Sequence, residues 1–242
     1  MAEVVEAPLP PPPRPTWPTW VEILACSGYP TQLAVSYGLL IAGLSPTTAN
    51  GGLSGRFVFA LSLIDTVLLL SLIVLFIRRR HQRPRDVFFG TTQPLREMAA
   101  GAFSLPVVLM LVIGLTLFIR RFLPSLHNVP DNPLEGLIGG EISIWVFLFV
   151  VIVAGGVREE LQRAFLLQRF RDDLRQPWLG LFITSLSFGM GHTLQGLDAA
   201  VITGALGAFW GFLYLTRGGA LASMVSHSLF NSGELLRVLT GG

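Results

Sequence analysis

The sequence predicts an all-α protein, a polytopic membrane bundle of about seven transmembrane helices. Three observations carry this. Of 242 residues, 51% are hydrophobic and only 13% are charged, with mean hydropathy +0.61; a soluble domain carries about 25% charged residues. Apolar segments recur along the chain, most of them near the ~20 residues that cross a bilayer core. Buried charge is concentrated in one stretch, Val157–Phe170, which reads VREELQRAFLLQRF at the end of an apolar run. Charges at such depth persist mainly where they pair, bind a cation or do chemistry.

Residues 1–19 read as a Pro-rich, disordered or polyproline arm. It carries Glu3 and Glu6 and then PLPPPPRP, with no cleavable signal. Trp17 and Trp20 suit the aromatic belt of a membrane interface. From 20 to 242 the chain reads as one transmembrane domain without internal repeats. Its spans are expected at Val21–Leu44, Phe57–Ile77, Met98–Ile119, Ile138–Val157, Trp178–Leu194, Ala199–Thr216 and Ala220–Leu239. Ser45–Gly55 is a turn-rich loop, and Leu123–Leu137, with Pro124, Pro130 and Pro133, is a second long connection.

Every basic residue is arginine, and the arginines set the orientation. Arg78, Arg79, Arg80, Arg83 and Arg85 crowd one loop; Arg169, Arg171, Arg175 and Arg217 fall on the same side. Arg56, Arg120, Arg121 and Arg237 fall on the other. The first group is expected in the cytoplasm, with the N-terminus, in a multi-pass protein of the inner membrane. The single cysteine, Cys26, excludes an internal disulfide and any Cys-based metal site.

Three helical spacings bear on chemistry. Glu159 and Arg163 are four apart and share a helix face, as do Phe188 and His192, and His227 and Asn231. Each pair alone has a bland reading: a structural ion pair, a hydrogen-bonded packing histidine, an interhelical amide. Depth argues that they meet. Glu159 precedes the turn at Leu174–Pro177 by as many residues as His192 follows it, about 22 Å at ~1.5 Å per residue. His227, nine residues past Gly218, reaches that level if Arg169–Arg175 carries its helix beyond the membrane surface. One site some 10–15 Å below the cytoplasmic face is expected, reached through a polar cavity. The small residues Gly189, Gly191, Gly204, Gly207, Ala208 and Gly211 allow close helix approach there.

Glu159, His192 and His227 are the ligand types of a catalytic zinc or similar divalent ion with an open position for water. A metal or a carboxylate base would make that water nucleophilic. Asn231 can donate to a developing oxyanion, and Arg163 can hold a glutamate in place.

In this order, on separate membrane helices, these motifs resemble the CPBP family, the CAAX-processing and bacteriocin-processing (Abi) intramembrane endopeptidases. The resemblance covers about Ile142–Leu236, within a core at about 138–239. Phe188-x-x-x-His192 and His227-x-x-x-Asn231 match in full. The first motif departs: the family writes Glu-Glu-x-x-x-Arg, and here Arg158, Glu159 and Glu160 precede Arg163 by five, four and three. Aligned on Arg163, Arg158 stands where the family has the glutamate thought to activate water. Glu159 is then the expected acid/base with Glu160 in support, or the chain is not a protease. The resemblance implies an intramembrane, glutamate-dependent endopeptidase acting near the cytoplasmic side, with His192, His227, Asn231 and Arg163 completing the site. A divalent metal such as zinc is permitted, not required. The expected partners are a membrane-embedded or membrane-bound peptide or protein substrate and the bilayer, with no nucleic acid. Two other classes fit the same residues: a degenerate scaffold or immunity protein, and a proton or ion transporter.

Overall fold

Proline starts the helices of this chain. Pro18, Pro30, Pro84, Pro94, Pro106 and Pro177 each occupy the first or second position of one, where the missing N–H costs nothing and the fixed φ is already helical. The computed structural model describes residues 16–90, 93–138 and 143–241. They form α1 (Trp17–Ala25), α2 (Tyr29–Ile41), α3 (Gly55–Arg79), α4 (Pro84–Phe88), α5 (Pro94–Phe103), α6 (Leu105–Phe122), α7 (Ile144–Val150), α8 (Glu159–Gln168), α9 (Pro177–Met190), α10 (Leu197–Arg217) and α11 (Leu221–Leu239). The described residues form no β-strand, and the all-α helical bundle is as expected.

Three stretches are long and apolar enough to cross a membrane: Gly55–Arg79, Pro94–Phe122 and Leu197–Arg217. They match the second, third and sixth expected spans, and only 11% of the most apolar window of Pro94–Phe122 is buried by the protein itself. That leaves side chains such as Met110, Ile113, Leu117 and Phe118 facing outward, as lipid contact requires. Two other expected spans differ. Val21–Leu44 is not one helix: it breaks at Cys26–Gly28 into α1 and α2. Gly28 turns the chain at φ 92°, and Gln162 of α8 donates to the freed carbonyl of Cys26 at 2.9 Å. Trp178–Leu194 ends early, because α9 stops at Met190 and a short 3-10 turn, Thr193–Gln195, follows. The arm expected at 1–19 lies outside the described residues up to position 15; Trp17–Thr19 already belong to α1.

Between α7 and α8 the helix widens into a π-helical segment, Val151–Arg158, and a second one, Arg169–Asp173, extends α8. The helix that carries the charged stretch therefore runs unbroken from Ile144 to Asp173.

The two ends of the bundle are unlike. At one end Arg80 binds Glu22 at 2.7 Å and also Asp173, Arg169 binds Glu22 at 2.7 Å, and Arg217 binds Glu97. Ala220 N–H donates to the Phe88 carbonyl nearby. Beneath this network lies the largest core cluster, with Ile73, Ile77, Phe88, Phe165, Phe170 and Tyr214. At the opposite end the 123–138 connection is tied down by His127–Asp198 at 2.7 Å, by Leu197 N–H donating to Asn128 at 2.8 Å, and by Arg237–Glu135 at 3.4 Å.

Candidate active site

The charged stretch sits where the wide π-helical segment tightens into α8. Such segments are rare and occur often at functional sites. It also carries Gly155 and Gly156. A Cβ at 156 would overlap Ser228 of α11, and one at 155 would lie 2.7 Å from the Asn231 amide nitrogen. The glycines thus let α11 approach closely enough to bring His227 and Asn231 to the carboxylates.

Glu160 is buried and accepts from Arg163, three residues on, and pairs with His227 Nδ1 at 2.9 Å. Arg163 therefore takes Glu160, not Glu159, the residue with which it was expected to pair. Its guanidinium lies 4.5 Å from the Phe188 ring centroid, a further stabilising contact for a buried cation. Glu159 faces the other way. It is half-buried, with Oε2 3.9 Å from His227 Nε2 and Oε1 3.8 Å from Arg158. Only Glu160 hydrogen-bonds the imidazole; Glu159 stands off its other nitrogen.

His227 is sandwiched from a third direction. Trp210 of α10 stacks on it at 3.7 Å and 15°, and Trp210 in turn donates to Ser226 at 3.1 Å. The ring cannot turn without disturbing a hydrogen bond and a stack. His192 lies past the end of α9, not within the helix as expected. Its Nδ1 meets the Phe188 carbonyl at 2.8 Å and its ring packs edge-on against Phe188. Since a carbonyl only accepts, Nδ1 carries the proton and Nε2 is the acceptor.

Two cavities meet here. One, of about 530 Å³, is lined by Glu159, His192, His227 and Asn231 together with Trp210 and Arg158. The other, of about 440 Å³, runs between α2 and α9 and shares Glu159, His192, Arg158 and Phe188. Glu160 lines neither, so of the two glutamates only Glu159 borders the space a substrate could enter. All six expected site residues are gathered in one region: Glu159, His192, His227 and Asn231 line the larger cavity, Arg163 lines the smaller, and Glu160 lies behind.

Two further buried charges, Arg158 and Asp65, have partners. They are each other's: Arg158 donates to Asp65 of α3, and both are buried. A carboxylate in one apolar helix and a cation in another was the available signal, since neither is stable alone. Trp210 carried no signal; nothing in its spacing marks it as the partner of a histidine.

The same residues bear on a divalent ion. Among the described residues no three of His, Cys, Asp and Glu are grouped so as to hold an ion. His227 spends Nδ1 on Glu160, and its Nε2 is 3.9 Å from the nearest Glu159 oxygen. With Nδ1 of His227 held by Glu160 and Nδ1 of His192 by the Phe188 carbonyl, both Nε2 atoms are left, with Glu159, as the groups that would hold a divalent ion.

Comparison with known proteins adds one finding. Residues 141–233 match the family described as type II CAAX prenyl endopeptidase Rce1-like. The resemblance to the CPBP family holds over the part of the chain that carries the motifs. No curated protein and no solved structure matches the chain. The Rce1-like stretch runs from just before α7 into α11 and contains every residue of the candidate site except Asp65. The chain is thus a membrane protein similar, over this stretch, to a family of proteases.

Proposed function

We propose that the chain is a glutamate-dependent intramembrane endopeptidase. One observation carries this reading: Glu159 borders the cavity with His192, while its neighbour Glu160 lies behind and fixes His227. That division gives the adjacent carboxylates different tasks. A water lying between Glu159 and His192 Nε2 meets two acceptors and donates one proton to each. Both its lone pairs stay free, and one of them attacks a peptide carbonyl carbon.

Glu159 takes the proton as the O–C bond forms. The carbonyl oxygen, now negative, accepts from the Asn231 amide. As the C–N bond breaks, Glu159 returns the proton to the amine nitrogen, and the products are a carboxyl and an amine terminus. Glu160 and Arg163 act as positioning residues, holding His227 beside Glu159 so that its Nε2 can accept from the carboxyl while that is protonated. The substrate is a peptide or protein held at the membrane, and the setting is the inner membrane with the N-terminus in the cytoplasm.

The test is cleavage of a panel of membrane-anchored peptides by the purified full chain in liposomes. Glu159→Gln is expected to lower the rate by about 10²–10⁴ without altering helix content or melting temperature. Full cellular activity retained in that variant would instead favour a scaffold. That second reading draws on Arg158, which stands bound to Asp65 where the family has a glutamate.

A further inference from the structure

Arg158 is a buried cation one residue from Glu159, on the wall of both cavities. Two carboxylates compete for it. Asp65 of α3 takes Nη2 in a close contact, while Glu159 Oε1 stands 3.8 Å from Nη1. Nη1 donates instead to the Gln162 side-chain oxygen at 3.4 Å, and the Gln162 amide is itself tied to the Cys26 carbonyl at 2.9 Å. The guanidinium is thus clamped from α3 on one side and from α8 and the α1–α2 break on the other. The Asp65 contact is single: Arg158 Nε and Asp65 Oδ1, which could close a second bond, are both buried without a partner. Arg158 therefore keeps an unused donor, and a second carboxylate free to approach would capture it.

Arg163 is taken by Glu160, which leaves Arg158 as the cation within 4 Å of the Glu159 carboxylate. A close, two-point pair with Arg158 would occupy the oxygens that must take a proton from water. With no cation near, a carboxylate at this depth would stand uncompensated. We infer that Asp65 and Gln162 are positioning residues for the proposed cleavage. They hold Arg158 near enough to Glu159 to offset its charge and too far away to hydrogen-bond its oxygens. Asp65 thus acts on the reaction from another helix, through Arg158, without touching the substrate. The inference rests on the peptidase reading for what Glu159 does, but on the contacts of Arg158 for how Glu159 is kept free.

The test is Asp65→Asn in the full chain, which keeps the shape of the tether and removes its charge. A hydrogen bond to a charged acceptor is roughly twice as strong as one to a neutral acceptor. A crystal structure of this variant is therefore expected to show Arg158 within hydrogen-bond distance of Glu159. In liposomes its kcat is expected to fall by about 10–10²-fold, with KM little changed. The double variant Asp65→Leu with Arg158→Met is expected to melt close to the parent chain and still to lose kcat to a similar degree, because no cation remains beside Glu159. A rate that returns together with the melting temperature in the double variant makes the pair purely structural and overturns the inference. An Arg158 that stays clear of Glu159 in Asp65→Asn overturns it as well. The crystal structure reads the tether without using activity, so its failure is told apart from a cleavage rate retained in Glu159→Gln, which would end the peptidase reading.

Discussion

Arg158 and Asp65, 93 positions apart in the chain, form a buried ion pair that joins the π-helical segment to α3. Asp65 is fully buried and Arg158 nearly so. The pair lets a cation sit beside the Glu159 carboxylate without being left uncompensated in an apolar bundle. Breaking one partner strands the other. Asp65→Ala is expected to destabilise the protein by about 3–5 kcal/mol. The double variant Asp65→Leu with Arg158→Met, which removes both charges, should recover most of that loss. Thermal melting in detergent checks both, and equal losses in the single and double variants would show that packing, not charge pairing, sets the cost.

Glu160 and Glu159 should separate in mutants. Glu160→Gln keeps the shape but weakens the grip on Arg163 and on His227 Nδ1. Its expected signature is combined: a lower melting temperature and a lower cleavage rate. Glu159→Gln should lose rate alone. Asn231→Ala should cost about 10²–10³ in kcat with KM little changed, because its amide matters only once the oxyanion forms. A KM effect with kcat intact would make Asn231 a binding residue.

Cleavage is expected to survive chelation. Among the described residues Glu159 and the imidazoles are not grouped as ligands, and the carboxylate base by itself can activate the water. Dialysis of the purified chain against a strong chelator should leave the initial rate within about twofold. Loss of activity restored by zinc, accompanied by bound zinc in the active fraction, would overturn the metal-free reading.

Much of this was legible in the chain alone. The apolar segments at α3, α10 and α11 were placed within a few residues, because long runs of apolar side chains have few alternatives to a membrane helix. Equal spacing of Glu159 and His192 from the turn near Pro177 was enough to put them at one level. Other features were out of reach. The break at Gly28 depends on Gln162 arriving from α8 to donate to the freed Cys26 carbonyl. The stack of Trp210 on His227 depends on how α10 lies against α11.

The sequence by itself determined the membrane bundle, the identity of the charged groups and the level at which they meet, because composition and helical rise are local properties. Only the tertiary structure decided which carboxylate meets which partner, Arg163 with Glu160 and Arg158 with Asp65, and which glutamate borders the cavities. Those depend on helix rotation and on what fills the space above and below the site. A linear chain encodes both only through contacts between residues far apart in it.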